Sequence, residues 1–245
     1  MDLKDSRRRK VAIVTGAARG IGREIALTLG RKGFAVGVCD TLESVGGTAA
    51  EIRALGVPSE SAVIDVSAEA EVKQAVATVS ANLGPVDVLV NNAGIGRIAP
   101  FSDFGVDEWD RTFAVNVRGP FLFIKEVLPM MKERREGLIV NIASVWGLRG
   151  VRNRAPYVAS KHAVVGLTRA LAEECRADRV RAVAICPASV LTDLSRNLPG
   201  SKEGWIEPRH VAEVIAFLSG ADGQGITDTC IEVTGFGESP GVRAP

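Results

Sequence analysis

A single α/β domain built on a doubly wound parallel sheet is the fold this sequence predicts, and three observations predict it. Short β-branched runs alternate with longer segments of helical period along the whole chain. The predicted strands are rich in Val, Ile and Leu, as strands buried on both faces are. A length of 245 residues suits one such sheet with helices on both faces and no second core.

In chain order, the strand Val11–Thr15 precedes a helix over Ile21–Arg31, Ala35–Cys39 precedes Ser44–Leu55, and Ala62–Ile64 precedes Glu69–Leu83. Val86–Val90 leads to one helix through Trp109–Lys132, and Leu138–Ile142 to another from about Pro156 to Arg176. After Val180–Ile185 comes an irregular stretch, Asp193–Pro208, then a helix, and a last strand over Cys230–Val233 makes about seven. Residues 1–9 are expected to form a flexible charged leader, 193–207 a lid over substrate and 236–245 a Gly- and Pro-rich tail. Ligands in such sheets bind beyond the carboxyl ends of the strands, so the residues there are the ones to search.

Composition narrows the function. With 30 basic and 29 acidic side chains the formal charge is +1, which lacks the field of a nucleic-acid or anionic-membrane binder and suits a small-molecule partner. Cys39, Cys175, Cys186 and Cys230 are scattered, without a C-x-x-C pair or a His at ligand spacing, so neither a metal nor a disulfide framework is indicated. No apolar run approaches the roughly 20 residues of a membrane span, and the charged start is unlike a secretory leader. A cytoplasmic enzyme is the expectation.

Directly after the first strand stands Thr15-Gly16-Ala17-Ala18-Arg19-Gly20-Ile21-Gly22, opening the first helix. Lacking Cβ atoms, Gly16, Gly20 and Gly22 permit a tight turn and the close approach of a pyrophosphate to backbone N–H groups, with Arg19 and Ile21 inside the same turn. Asp40, at the end of the second strand, can accept hydrogen bonds from adenosine ribose hydroxyls and would repel a 2′-phosphate. NAD is therefore expected, with NADP the alternative because the Arg19 guanidinium can reach a 2′-phosphate. The plainer reading of the glycines is an ordinary glycine-rich turn between strand and helix, and that of Asp40, a strand-end turn residue, would leave the cofactor choice open.

The glycine spacing G-x-x-x-G-x-G, with Asn91-Asn92-Ala93-Gly94 and Tyr157-x-x-x-Lys161, resembles the short-chain dehydrogenase/reductase family, and the resemblance runs from Val11 to Val233. It implies a Rossmann-type fold and the interconversion of a secondary alcohol and a ketone by hydride transfer with NAD(P), as in the family's 3-oxoacyl reductases and alcohol dehydrogenases. By the same resemblance Tyr157 is the general acid and base, and Lys161 assists it and holds the nicotinamide ribose. Ser144, 13 positions before Tyr157, bonds the substrate oxygen, and Asn116 positions a water between Lys161 and solvent. Asp65 and Val66 would meet the adenine, Asn92, Ala93 and Gly94 flank the adenosine, and Pro187, Val190 and Thr192 contact the nicotinamide. A homodimer or homotetramer is also implied. The residues themselves add that Tyr157 and Lys161, four apart on one helix, share a face, and that a phenol with a pKa of about 10 needs nearby positive charge to act as a base.

The chain departs from the family pattern at Ala188, Asp228 and Gly235-Phe236, where glycine or a glycine pair is usual. Ala188 would be strained if the backbone there needed a positive φ. On the substrate side Ile95, Trp146, Leu148 and Leu194 are the expected lining. Arg149, Arg152 and Arg154 suggest an acidic substrate, against the plainer reading of solvated loop charges. The rival functional reading is a cofactor-binding regulator or scaffold that has lost catalysis. His162, His210, Glu173 and Glu174 read as structural.

Overall fold

The computed structural model of the protein describes residues 8–192 and 202–235. Seven parallel strands form one sheet in the order β3-β2-β1-β4-β5-β6-β7. The strands are β1 (Val11–Thr15), β2 (Ala35–Asp40), β3 (Ser59–Val63), β4 (Val88–Asn91), β5 (Gly137–Ile142), β6 (Val180–Pro187) and β7 (Thr229–Val233). Their side chains alternate between two cores, as a period of two requires. Ala12, Val14, Val36 and Val38 join α1 (Gly20–Arg31), α2 (Val45–Ala54) and α7 (Pro208–Ser219) on one face. Val11, Ile13, Leu89 and Ile139 join α3 (Glu69–Leu83), α5 (Gly119–Arg134) and the end of α6 (Ala155–Glu174) on the other. The strand order reverses between β1 and β4, which opens a crevice at their carboxyl ends.

Two elements differ from the sequence expectation for identifiable reasons. β3 begins three residues before the expected Ala62 because it is an edge strand in which only Ser59 is buried, so Ser59, Glu60 and Ser61 carry no apolar run. The helix expected through Trp109–Lys132 is instead α4 (Val106–Phe113), a π-helical turn over Ala114–Arg118, and α5. Pro120 has no N–H to offer the Asn116 carbonyl, so the α-helical ladder is interrupted at that turn.

Arg8, in the stretch expected to be a leader, forks onto the buried Asp87 at 2.7 and 2.5 Å, and Asp87 also accepts the Val11 N–H at 2.8 Å. This fixes the start of β1 beside β4. Leu194, with the rest of 193–201, the tail 236–245 and residues 1–7, lies outside the described residues. Among the described residues no helix is long and apolar enough to cross a membrane, and no cluster of His, Cys, Asp and Glu could hold a metal.

Candidate active site

The glycine turn is clamped from the neighbouring strand. Gly16 and Gly20 adopt positive φ, 65° and 59°, and a Cβ on Gly16 would lie 2.9 Å from Ala93 Cα. A Cβ on Gly22 would overlap the Gly16 carbonyl oxygen. Asn92 Nδ2 donates to the carbonyls of Thr15 and Gly16 at 2.9 and 3.1 Å, and Thr15 Oγ1 accepts the N–H groups of Asn92 and Ala93, both at 3.0 Å. Asp40 accepts the Ala18 N–H at 2.9 Å and the Leu42 N–H at 3.1 Å, so its carboxylate stands at the turn's open side. Thr192 packs over Gly20, bringing the loop after β6 to the same place.

At the start of α1, Arg19 is the N-cap, makes no side-chain cap and is exposed, and no acidic residue lies in the first turn. A cradle that Cβ atoms would fill, facing a helix N-terminus, fits a dinucleotide. Gly16, Arg19, Gly20, Ile21, Gly22 and Asp40 are the residues that could hold its adenosine and pyrophosphate.

Tyr157 and Lys161 lie in the first two turns of α6, and Ser144 follows β5 as the cap of a short 3-10 turn, accepting the Trp146 N–H at 3.2 Å. Lys161 is buried, and its Nζ donates to the Ile142 carbonyl at 2.7 Å and sits 5.6 Å from the centre of the Tyr157 ring. Burial pulls the Lys161 ammonium down to a pKa of about 8. The Tyr157 phenol is raised above its ordinary value by the same desolvation, opposed by a hydrogen bond with Ser144 and by the charge of Arg154. Arg154 is thus a cation that acts on the phenol, and Lys161 Nζ stands 5.6 Å from the centre of the same ring.

Asn116, on the π turn, accepts the Ile95 N–H at 2.8 Å and donates to the Ile95 carbonyl and to Ser160 Oγ, both at 2.9 Å. Ser160 in turn donates to the Tyr157 carbonyl at 2.7 Å, so Asn116 ties the loop after β4 to α6. Gly94 lies against both: a Cβ there would be 3.4 Å from Asn116 Oδ1 and from Lys161 Nζ. Ser144, Tyr157, Lys161 and Asn116 therefore form one cluster at the crevice, next to the glycine turn.

The short chain dehydrogenase family profile matches residues 10–203. The chain is a short-chain dehydrogenase/reductase. An oxidoreductase of Bacillus subtilis, YxjF, is 40% identical over 78% of the chain and 74% of its own length. A 3-oxoacyl-[acyl-carrier-protein] reductase, FabG, of Staphylococcus epidermidis is 34% identical over 92% of the chain and 98% of its own length. The crystal structure of levodione reductase superposes with a TM-score of 0.87 at 31% identity, covering 94% of this chain and 98% of that one.

Other expected residues of this short-chain dehydrogenase/reductase fall near the cluster with structural ties of their own. Asp65 is bound by Arg111 at 2.8 Å and accepts both the N–H and the hydroxyl of Ser67. Burial would raise that carboxyl, but these partners hold it below its usual range. Val66 is buried, and a Cβ on Gly119 would come within 2.9 Å of it. Val190 is buried too and pairs with Ile206 in an isolated parallel bridge, while Pro187 ends β6. Ala188 has no positive φ, and its N–H bonds the Val233 carbonyl at 3.0 Å, so the feared strain is absent. Asp228 does take the left-handed conformation, at φ 52°, which Asp tolerates better than most residues. On the substrate side Ile95 is exposed, Trp146 is half-buried, and Leu148 leans on the small core of Ala143, Val164 and Val165.

Several contributors were not visible in the sequence. Thr15 and Ser160 act through single hydrogen bonds with no spacing signal. Gly96 would place a Cβ 2.5 Å from the Tyr157 ring, and it sits two residues beyond the motif ending at Gly94. A buried chain of Asn91, Asn141 and Thr168, bonded at 2.8 and 2.9 Å, joins β4 and β5 to α6. The signal for it was there: Asn is unusual inside an apolar parallel strand.

Proposed function

We propose that the chain interconverts a secondary alcohol and a ketone by hydride transfer, with NAD(H) preferred over NADP(H). The observation that carries this reading is the placement of Tyr157 between Ser144 and the buried Lys161, beside a glycine cradle. The nicotinamide, when bound, accepts or donates the hydride. The protein supplies the proton: the Tyr157 oxygen takes it from the alcohol or returns it to the carbonyl oxygen. Ser144 hydrogen-bonds the same substrate oxygen, where negative charge develops during reduction. Lys161 holds the nicotinamide ribose, Asn116 orders a water toward Lys161, and Asn92, Ala93 and Gly94 flank the adenosine. Asp65 and Val66 border the adenine, and Pro187, Val190 and Thr192 border the carboxamide.

The preference for NAD rests on Asp40, whose carboxylate would face a 2′-phosphate, against the single exposed charge of Arg19. Cytoplasmic location and a homodimer or homotetramer belong to the same proposal, on the family resemblance. The test is to follow reduced-cofactor absorbance with NADH and with NADPH across a panel of ketones, keto esters and acyl thioesters. Turnover with NADH favoured is the expected result. Turnover favouring NADPH overturns the cofactor choice, and no turnover on any carbonyl or alcohol overturns the reaction.

A further inference from the structure

Three arginines precede the catalytic tyrosine, and the structure gives them three different situations. Arg149 is ion-paired with Glu232 across to β7. Arg152 is exposed and solvated. Arg154, the residue before α6, is half-buried with its guanidinium 4.5 Å above the centre of the Trp146 ring. Trp146 in turn meets Tyr157 edge-on, with ring centres 6.2 Å apart. Cation, indole and phenol thus adjoin one another, the guanidinium over the indole face and the indole edge-on to the phenol.

What sets Arg154 apart is its missing partner. The other part-buried arginines among the described residues all have one: Arg23 bonds Glu51, Arg134 bonds the Val86 carbonyl, Arg149 bonds Glu232, and Arg181 bonds the carbonyls of Leu218, Gly223 and Ile226. The Arg154 side chain makes no hydrogen bond or ion pair with any described residue; its backbone carbonyl accepts the Val158 N–H. Desolvation nevertheless lowers its pKa, and the charge acting on it in return is that of the Tyr157 phenol. A part-desolvated guanidinium without an anion is costly to keep, and an indole face offsets only part of that cost. The planar fork is held by stacking, with its N–H donors free to engage a carboxylate in two parallel bonds.

We infer that Arg154 is the anion subsite of the substrate pocket, and that the natural substrate is an oxo acid or hydroxy acid whose carboxylate pairs with it while the carbonyl or hydroxyl oxygen meets Tyr157 and Ser144. This inference rests on the proposed reaction and names its substrate class. Trp146 fixes the height of the guanidinium, so the spacing between carboxylate and carbonyl is what the pocket selects. Arg149, already neutralised by Glu232, takes no part.

The experiment compares 3-oxobutanoate and 4-oxopentanoate, each beside its own methyl ester, in the intact protein, in Arg154→Met and in Arg154→Lys. The intact protein is expected to show a lower KM for at least one acid than for its ester. Arg154→Met should raise the KM of that acid by about 10- to 100-fold, as loss of a charged hydrogen-bonding partner does. Its KM for the ester should move much less, with any change in kcat shared by acid and ester alike. Arg154→Lys should recover part of the acid preference by keeping the charge without the fork. Equal KM values for acids and esters in the intact protein, or an acid-to-ester ratio unmoved by Arg154→Met, overturns the inference while leaving ketone reduction standing. Failure on neutral ketones and acids alike overturns the reaction itself.

Discussion

The two halves of the crevice are built on opposite principles. On the nucleotide side the frame of the turn is bonded within the chain, and only the N-terminus of α1 lacks a side-chain cap: Asn92 holds two carbonyls, Thr15 receives two N–H groups, and Asp40 accepts from Ala18 and Leu42. The glycines leave room there that a single methyl would fill. On the substrate side the Arg154 side chain has no partner among the described residues, Ile95 is exposed, and the loop beyond Thr192 passes out of the described residues. The first half is organised before any ligand arrives, as a site for one invariant ligand should be. The second leaves charge and surface for the ligand to satisfy, and that is where relatives on one fold diverge in what they accept.

The contrast predicts graded losses. Tyr157→Phe sits where the halves meet and should have the largest effect, a fall in kcat of about 10³-fold, within the usual range for removing a general acid or base. Tyr157 is the sole tyrosine of the chain, so no second phenol can take over. Circular dichroism and NADH binding should be unchanged, and activity near that of the parent in a folded variant would remove the proposed proton route. Gly22→Ala comes next, because its Cβ would overlap the Gly16 carbonyl. Overpacking of this kind costs about 1–3 kcal/mol, which corresponds to a rise of about 5- to 150-fold in the Kd for NADH. Fluorescence titration measures it. An unchanged Kd would mean that the preorganised half is not the nucleotide half.

The same division explains what could be read from the chain before its structure. All seven strands were legible, because a parallel sheet covered on both sides writes its core as β-branched runs. The larger slips at strand starts are at β3, which has one edge open and begins three residues before the expected Ala62, and at β4, which begins two residues after the expected Val86. The glycine turn, Asp40 and the Tyr157–Lys161 pair were legible because their spacing along the chain is set by local geometry, a strand end or one turn of helix. The break at Ala114–Arg118 was hidden because Pro120 falls in an otherwise continuous helical pattern. Arg154 was visible only as one of three neighbouring arginines. What separates it from Arg149 is a contact with Glu232, 83 residues further on, and no local pattern encodes that.

The smallest expected effect tests whether the halves communicate. Arg154 belongs to the substrate side, yet its charge opposes the burial that raises the Tyr157 phenol. A positive charge stabilises the phenolate, so removing it must raise the phenol's pKa further. Alcohol oxidation needs the phenolate, and its rate therefore climbs with pH as Tyr157 ionises. In Arg154→Met that climb should move to higher pH, and in Arg154→Lys it should stay closer to the parent. A neutral secondary alcohol is the substrate to use, since it makes no claim on the anion subsite and isolates the effect on the phenol. Profiles of kcat/KM read the ionisation in the free enzyme. A Met variant whose profile coincides with the parent's would confine Arg154 to substrate binding, and the two halves would then share Tyr157 without influencing each other through it.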